Sequence, residues 1–342
     1  MEEKFINKTT ASRIQSIAVL MMIVHHTFGF PDKILEGISF VGIQIEGGEA
    51  EVFIGQMCKI CVSLFAFMSG YAFAIKKDWT WKYVIKKSLN LLILYWITLI
   101  IFIVLGLTGG KNVTLNSLLS NIVSISSSVN YSSWYVSFYL LALVTMKIFF
   151  SKFQKGFKSC LCFILTFWIL SIVVEKSGIH IWNGFISYIQ YMPVILIGCM
   201  AGKSKYFNTL GAKLSANIRG VLCAMMMLLV TLGLRVFTGA EVLSFHLIWI
   251  YVTPICLALA TILIYFSKLI WINKLLDLIG DYSTEIWLLN AIFTSGVLWI
   301  QKICFAPRVS ILIFIWETIL LLIMSVPVKF VWKKSIGYLR IQ

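Results

Sequence analysis

The sequence predicts an all-α, polytopic membrane helical bundle of about ten transmembrane helices with both termini in the cytoplasm. Three observations carry that prediction. Hydrophobic residues make up 60% of the 342 positions and charged residues only 13%, whereas soluble domains carry about 25% charged residues. So little charge cannot coat a surface facing water, which leaves lipid as the solvent. Long apolar stretches recur along the whole chain, and lysines and arginines fall in alternate connections between them.

A bilayer-spanning helix needs about 20 mostly apolar residues. The stretches that qualify are roughly 14–30, 53–75, 89–108, 134–150, 159–175, 184–201, 219–237, 246–266, 284–303 and 309–330. The first is short and stops at Gly29-Phe30-Pro31, a helix-ending signal. It carries no small-residue cleavage site, so it reads as a retained span and not as a signal peptide. The last two are separated only by Cys304–Arg308 and predict a tight antiparallel pair. With no soluble module and no internal repeat in view, residues 1–342 read as a single integral membrane domain.

Orientation follows from the basic residues. Lys4, Lys8 and Arg13 precede the first span. Lys76, Lys77, Lys82, Lys86 and Lys87 lie between the second and third, and Lys147, Lys152, Lys155 and Lys158 between the fourth and fifth. Lys203, Lys205, Lys213 and Arg219 follow the sixth, Lys268 and Lys274 the eighth, and Lys329, Lys333, Lys334 and Arg340 the tenth. The intervening connections hold Asp32, Glu36, Glu46, Glu49 and Glu51. The basic side is therefore the cytoplasmic one. The net charge of +15 is explained by this pattern, and no basic helix is interleaved with aromatics, so the expected partner is the lipid bilayer and no nucleic acid. The longer outer connections are about 31–52 and 109–133. The second is rich in Ser and Asn, which suits either a polar acceptor or a solvated loop. The eight cysteines lie almost wholly in apolar stretches. Cys58 and Cys61 have neither a second CxxC nor a histidine at ligand spacing, so they read as small core residues and no metal site is expected.

Polar groups inside spans are costly and are functional candidates by default. His25 and His26 stand in the first span; counted from Arg13, His26 lies about 20 Å into the membrane at about 1.5 Å per residue. Adjacent helical residues point about 100° apart, so only one of the two can face a given cavity. Histidine suits proton transfer near neutral pH; the plainer alternative is an interfacial residue near the outer headgroups. Lys59, Arg235, Glu285 and Glu317 are further charges in or near spans, most simply structural ion pairs, although Glu285 and Glu317 on adjacent spans can also orient a histidine. His180 and His246 fall at outer helix ends and read as interfacial, with His246 the better second site residue.

The run from Arg13 through Ile17-Ala18 to His25-His26-Thr27-Phe28 resembles the first span of the acyltransferase-3 family of integral membrane acyltransferases. That family sets a histidine eleven positions after a basic residue. Aligned on Ile17-Ala18, the histidine falls on His26 and the basic position on Gln15, with Arg13 two residues earlier. Val62 to Ser69-Gly70-Tyr71 is similar to the family's second span, and Tyr83 to Trp96, with Lys86 and Lys87, to its basic connection followed by Tyr-Trp. Lysines stand there in place of the usual arginines, and the usual proline before Tyr-Trp is absent. Ser133-Trp134-Tyr135 sits where the family opens its fourth span, and Ile279-Gly280 to Asn290 resembles a late segment that commonly ends in histidine.

The resemblance implies transfer of an acyl group, usually acetyl, from cytoplasmic acyl-CoA to a hydroxyl of a surface glycan or lipid-linked oligosaccharide in a cell membrane. High lysine relative to arginine suits an AT-rich bacterial genome, hence a bacterial cytoplasmic membrane. Acyl-CoA (acetyl-CoA) is the donor substrate, with no bound cofactor. His26 is the expected catalytic residue with His25 beside it, either as general base or through an acyl-histidine. Arg13, Lys86 and Lys87 are the expected donor contacts; Ser69, Tyr71, Trp134, Tyr135 and Asn290 are the expected substrate contacts. Ser69 to Tyr71 also suits close helix packing, and Trp134-Tyr135 a membrane-interface anchor. The competing readings are a transporter or flippase for a lipid-linked sugar, which requires broken helices and paired intramembrane charges, and a family member that has lost catalysis, for which Gln15 and Asn290 are the argument.

Overall fold

In the computed structural model, which describes residues 4–45, 48–76, 79–107, 113–154, 157–177, 182–237 and 247–339, helices form along the apolar stretches. Lys77, Lys155, Arg340, Glu46, His180 and His246 lie outside the described residues. Helix α1 (Lys8–Phe28) starts where the Asn7 side chain accepts the Thr10 N–H at 2.9 Å, satisfying one of the orphan donors of the first turn. Helix α2 (Ala50–Met57) runs through a single 3-10 turn at Cys58–Ile60 into α3 (Cys61–Ile75). Then come α4 (Trp81–Val104), the short α5 (Leu115–Ile122), α6 (Trp134–Gln154), α7 (Phe157–Ser177), α8 (Asn183–Lys203), α9 (Lys205–Ser215), α10 (Ile218–Phe237) and α11 (Ile248–Tyr265). The chain closes with α12 (Ile270–Asp281), α13 (Ser283–Asn290), α14 (Leu298–Cys304) and α15 (Ser310–Tyr338). The described strands are β1 (Gln44–Ile45) and β2 (Gly48–Glu49), paired antiparallel in the loop after α1.

The all-α membrane bundle is borne out, with differences in how the spans are made. Among the described residues eight helical segments are long and apolar enough to cross a membrane, against ten stretches expected. The first stretch is the continuous helix α1, less apolar than the rest because protein surrounds it. Ile14, Ala18, Val19 and Ile23 are all 0% exposed. One face of α1 (Ile14, Ala18, Met22) joins the core built on α3, α6, α8 and α11. The other (Val19, Ile23) joins the core built on α4, α13 and α15. A helix enclosed by other helices needs no lipid-facing stripe, so it can carry Ser12, Gln15, Ser16, His25, His26 and Thr27.

The second difference is at 284–303, expected as one span. It is broken into α13 and α14 by an irregular segment at 291–297. Ala291, Ile292 and Phe293 are buried there, and Phe293 and Ser295 donate to Asn290 and Ile292 carbonyls at 3.2 and 3.3 Å. Gly296, at φ +77°, makes the turn that leads into α14. Non-helical backbone at membrane depth is tolerated when protein covers it and its polar groups are satisfied. The third difference is α12, too short to span. It buries Asn273, Leu276 and Ile279 while exposing Ile270, Trp271, Ile272, Leu275 and Leu278, the pattern of a helix lying along the membrane surface.

α3 crosses close against α8. A Cβ on Gly70 would overlap the Ile195 carbonyl oxygen, and one on Gly198 would overlap that of Phe67. Small residues are what allow helices to approach this closely in lipid. Gly70→Ala is therefore expected to lower the thermal midpoint of the detergent-solubilised protein. Overpacking of about 1–3 kcal/mol outweighs the gain of about 1 kcal/mol in helix propensity. An unchanged or raised midpoint would show that this crossing is not tight.

Candidate functional site

One cavity of about 600 Å³ enters the bundle from the end that carries the lysines. Its floor on α1 is made by Gln15, Met22 and His26. These positions are seven and then four residues apart, which places them on one helical face. Gln15 and His26 are eleven residues apart, so the cavity follows α1 for about 16 Å at about 1.5 Å per residue. Lys87 and Asp281 lie at its exposed mouth, with Lys329, Glu285 and Asn90 close by. Lys329 donates to the Asp281 carbonyl and its ammonium stands 4.2 Å from the Tyr282 ring centroid. Deeper, the walls are Ser69, Phe65, Trp134, Tyr135 and Trp287. Trp134 stacks on Tyr191 at 5.8 Å and Tyr135 meets Trp287 edge-on at 5.2 Å, so aromatic rings fix the shape of the inner half.

The histidine pair splits as helix geometry requires. His25 turns to α2, where its Nδ1 lies 2.8 Å from the Gly55 carbonyl oxygen. It is buried and does not line the cavity. His26 is half-buried and reaches the cavity's inner end. Its Nδ1 is 2.9 Å from the Tyr131 hydroxyl, and the two rings stack at 5.5 Å and 17°. The Tyr131 hydroxyl also meets Thr294 Oγ1, which belongs to the break between α13 and α14. With Nδ1 engaged, Nε2 is the nitrogen left for chemistry.

Behind this pair lies a buried polar cluster. The Thr27 hydroxyl donates to Glu317 Oε2 at 2.5 Å, Asn290 Nδ2 donates to Glu317 Oε1 at 3.2 Å, and the Cys304 thiol lies 3.5 Å from Oε2. Glu317 and Asn290 are both 0% exposed. Both Glu317 carboxylate oxygens accept bonds there, while Asn290 Oδ1 has no hydrogen-bond partner among the described residues. A second, much smaller cavity of about 10 Å³ sits on the far side of His26, lined by Thr27, Phe30, Lys33, Thr294, Gln301 and Cys304 among others.

Of the residues expected from sequence, His26, Ser69, Lys87, Trp134 and Tyr135 come together around the large cavity. Five do not. His25 is held by Gly55, and Asn290 belongs to the Glu317 cluster. Tyr71 is buried at the packing face of α3, its hydroxyl between the Ile6 N–H and Asn208 Oδ1. Lys86 is half-buried on α4, outside the cavity lining. Arg13 forms a two-pronged pair with Asp277 of α12, Nε to Oδ1 at 2.7 Å and Nη2 to Oδ2 at 2.8 Å. Its charge is answered there, while Gln15 is the residue that faces the cavity. Glu285 also faces the cavity, near its mouth, whereas Glu317 lies in the buried cluster behind His26. Sequence reasoning missed Tyr131, Thr294, Trp287, Asn90 and Lys329 as site residues. Lys329 was legible only as an orienting charge, and Tyr131 carries no signal beyond its place three residues before Trp134.

A family model described as an acyltransferase domain matches residues 13–332 of the chain. No curated protein and no solved structure matches it.

The Arg13–Asp277 pair has a consequence for acid stability. Arg13, chiefly through its hydrogen bond, holds the Asp277 carboxyl below the usual carboxylate range. A carboxyl whose folded pKa is depressed contributes stability above its unfolded pKa and loses it as pH falls through the folded one. Asp277→Asn is expected to flatten the decline in thermal midpoint from about pH 5 to about pH 3. The effect should stay below about 1 kcal/mol, because the Asp277 side chain is 43% exposed. Superimposable pH profiles would show that the pair contributes nothing.

Proposed function

The chain belongs to the acyltransferase-3 family, whose model covers residues 13–332, and from that premise we propose that it moves an acyl group, acetyl in the simplest case, from acyl-CoA to a hydroxyl of a surface glycan or its lipid-linked precursor. The observation that carries the reading is His26 at the inner end of a cavity about 600 Å³ in volume that opens among lysines. Positive-inside orientation makes the basic end cytoplasmic, where acyl-CoA is available. A bacterial cytoplasmic membrane fits the lysine-rich composition.

Each part of the chain has a chemical task in this reading. Lys87 and Lys329 offer charge-assisted bonds to the donor's phosphates at the mouth, tempered by Asp281 and Glu285 nearby. Asn90 and Gln15 offer amide groups along the entry, and Asn90 Oδ1 has no hydrogen-bond partner among the described residues. Such an oxygen suits an amide N–H of the donor's arm. The ring walls at Phe65, Trp134, Tyr135 and Trp287 exclude water around the thioester. His26 Nε2 takes the proton of the acceptor hydroxyl as its oxygen attacks the thioester carbon. The C–S bond breaks, and the departing thiolate takes that proton from the imidazolium and leaves as free CoA. Tyr131 holds the ring through Nδ1, as a positioning residue. The break at 291–297 brings Thr294 to Tyr131; a broken helix is also a transporter feature, but here it serves to brace the histidine.

In cells, His26→Ala is expected to abolish the acyl mass increment on surface glycans at normal protein level, read by mass spectrometry. His25→Ala, which removes a buried bond to Gly55, should instead lower stability by about 1–3 kcal/mol and leave acylation per folded molecule within about tenfold. Full acylation by a well-expressed His26→Ala protein would sink the assignment. Tyr131→Phe keeps the stacked ring and removes the hydroxyl. It is expected to cut kcat on the order of tenfold to a hundredfold with little change in the KM for acyl-CoA. A change confined to KM would place Tyr131 in donor binding.

A further inference from the structure

His26 borders two cavities of very unequal size, and the smaller one is covered by a strap whose backbone is latched by one side chain, with Phe30 packed 4.9 Å from the His25 ring and Ile34 against the core. The strap is the segment Phe30–Leu35, which follows α1 and includes the 3-10 turn Pro31–Lys33. Gln301 of α14 holds it from beneath. Its Nε2 donates to the Lys33 carbonyl at 2.8 Å and its Oε1 accepts the Leu35 N–H at 2.9 Å. Gln301 is 2% exposed, so both bonds are sheltered from competing water. The Lys33 ammonium stands 4.1 Å from the centroid of Phe30 and 4.8 Å from that of Tyr131. The strap thus roofs the ring that positions His26.

The strap runs between two anchored points, with conformational freedom on its C-terminal flank. On one side α1 is fixed: Gln56 Nε2 donates to the Gly29 carbonyl at 3.1 Å, and His25 is held by Gly55. On the other, Gly37 has φ +85° with nothing within 4 Å of a hypothetical Cβ. Beyond it Val41 is bonded to Arg308 at 2.7 Å and bridged to Val309. Residues 30–35 therefore lie between anchored points, with an open glycine on one flank, which is how a short lid is hinged.

Volume decides what the lid does. The cavity under it is about 10 Å³, room for about one water, whereas small-molecule sites run to about 300 Å³ or more. No acceptor fits while the strap is latched. Its lining nevertheless mixes aromatic faces (Phe30, Phe293, Phe305) with hydrogen-bonding groups (Thr27, Thr294, Gln301), a combination suited to a sugar ring and its hydroxyls. We propose that the strap Phe30–Leu35, latched by Gln301, is a lid over the acceptor site, and that its release admits a carbohydrate hydroxyl to His26 from the side opposite the donor cavity. This rests on the proposed acyl transfer for the identity of the ligand, but the latch itself is testable without catalysis.

Cys304 supplies the probe. It is 1% exposed, lines the small cavity and is out of reach while the strap is closed. The full-length protein in sealed membranes is treated from the outer side with a charged, membrane-impermeant methanethiosulfonate, and modification of the Cys304 peptide is followed by mass spectrometry. Gln301→Ala is expected to raise the rate at Cys304 at least tenfold over wild type. Gln301→Glu, which can still accept from Leu35 but no longer donates to Lys33, should give a smaller rise and serves alone if the alanine variant does not fold. Equal rates in wild type and the folded variants would overturn the latch, as would wild-type labelling as fast as in the variants. Failure of the acyl-transfer reading would appear separately, in the glycan mass of the His26→Ala strain, with the labelling result intact.

Discussion

Everything at the reactive end of the bundle depends on three consecutive polar residues on a helix that has no water to turn to. His25, His26 and Thr27 leave α1 about 100° apart and bind three different walls: the Gly55 carbonyl, the Tyr131 hydroxyl and the Glu317 carboxylate. In a lipid-embedded protein an unsatisfied buried polar group costs several kcal/mol. Each of these bonds is therefore also a constraint on where its wall can stand. α2, the turn that opens α6, and α15 are positioned around α1 by its polar side chains as much as by its apolar ones. The two cores that meet on opposite faces of α1 supply the cohesion; the polar triplet supplies the register.

The break at 291–297 follows from the same constraint. A continuous helix over 284–303 would carry Asn290 and Thr294 on one face and could not direct them to separate partners. By ending α13 at Asn290 and turning, the chain sends Asn290 to Glu317 and Thr294 to Tyr131. Glu317 is surrounded by Thr27, Asn290 and Cys304 as donors. These bonds brace the wall behind His26, and in the proposed reaction such support keeps its ring aimed at the cavity.

Much of the fold was legible because lipid imposes a simple rule. Length, apolarity and alternating lysines locate most spans without any knowledge of contacts. What escaped were the segments where protein replaces lipid. The stretch 284–303 is as apolar as a span because it is buried, and hydropathy does not separate burial in protein from burial in lipid. α12 was lost in a connection because its exposed Ile270, Trp271 and Leu275 alternate with Asn273, Lys274 and Asp277, a pattern that only an interface explains. In the site, helix geometry showed only that one of His25 and His26 could face a cavity, and it was the family resemblance, aligned on Ile17-Ala18, that singled out His26. Arg13 was misleading, since charge near the cavity in sequence says nothing of a partner 264 residues away. Tyr131 and Thr294 were invisible, because a hydroxyl in a Ser- and Asn-rich connection or at the end of an apolar run gains meaning only from what it touches.

The asymmetry around His26 carries the argument furthest. In the proposed reaction the site joins a cytoplasmic donor to an outer acceptor and must not become an open channel, because a continuous path would leak protons and metabolites and let water compete for the acyl group. The bundle meets this with one wide, rigid approach and one narrow, latched one. The wide approach is walled by aromatic rings on packed helices. The narrow approach is closed by a strap whose backbone is bonded by the Gln301 side chain, with the open Gly37 on its flank. In the proposed reading, motion is confined to the acceptor side while the donor side stays fixed. A histidine standing between a built cavity and a closable one can serve both substrates without itself moving.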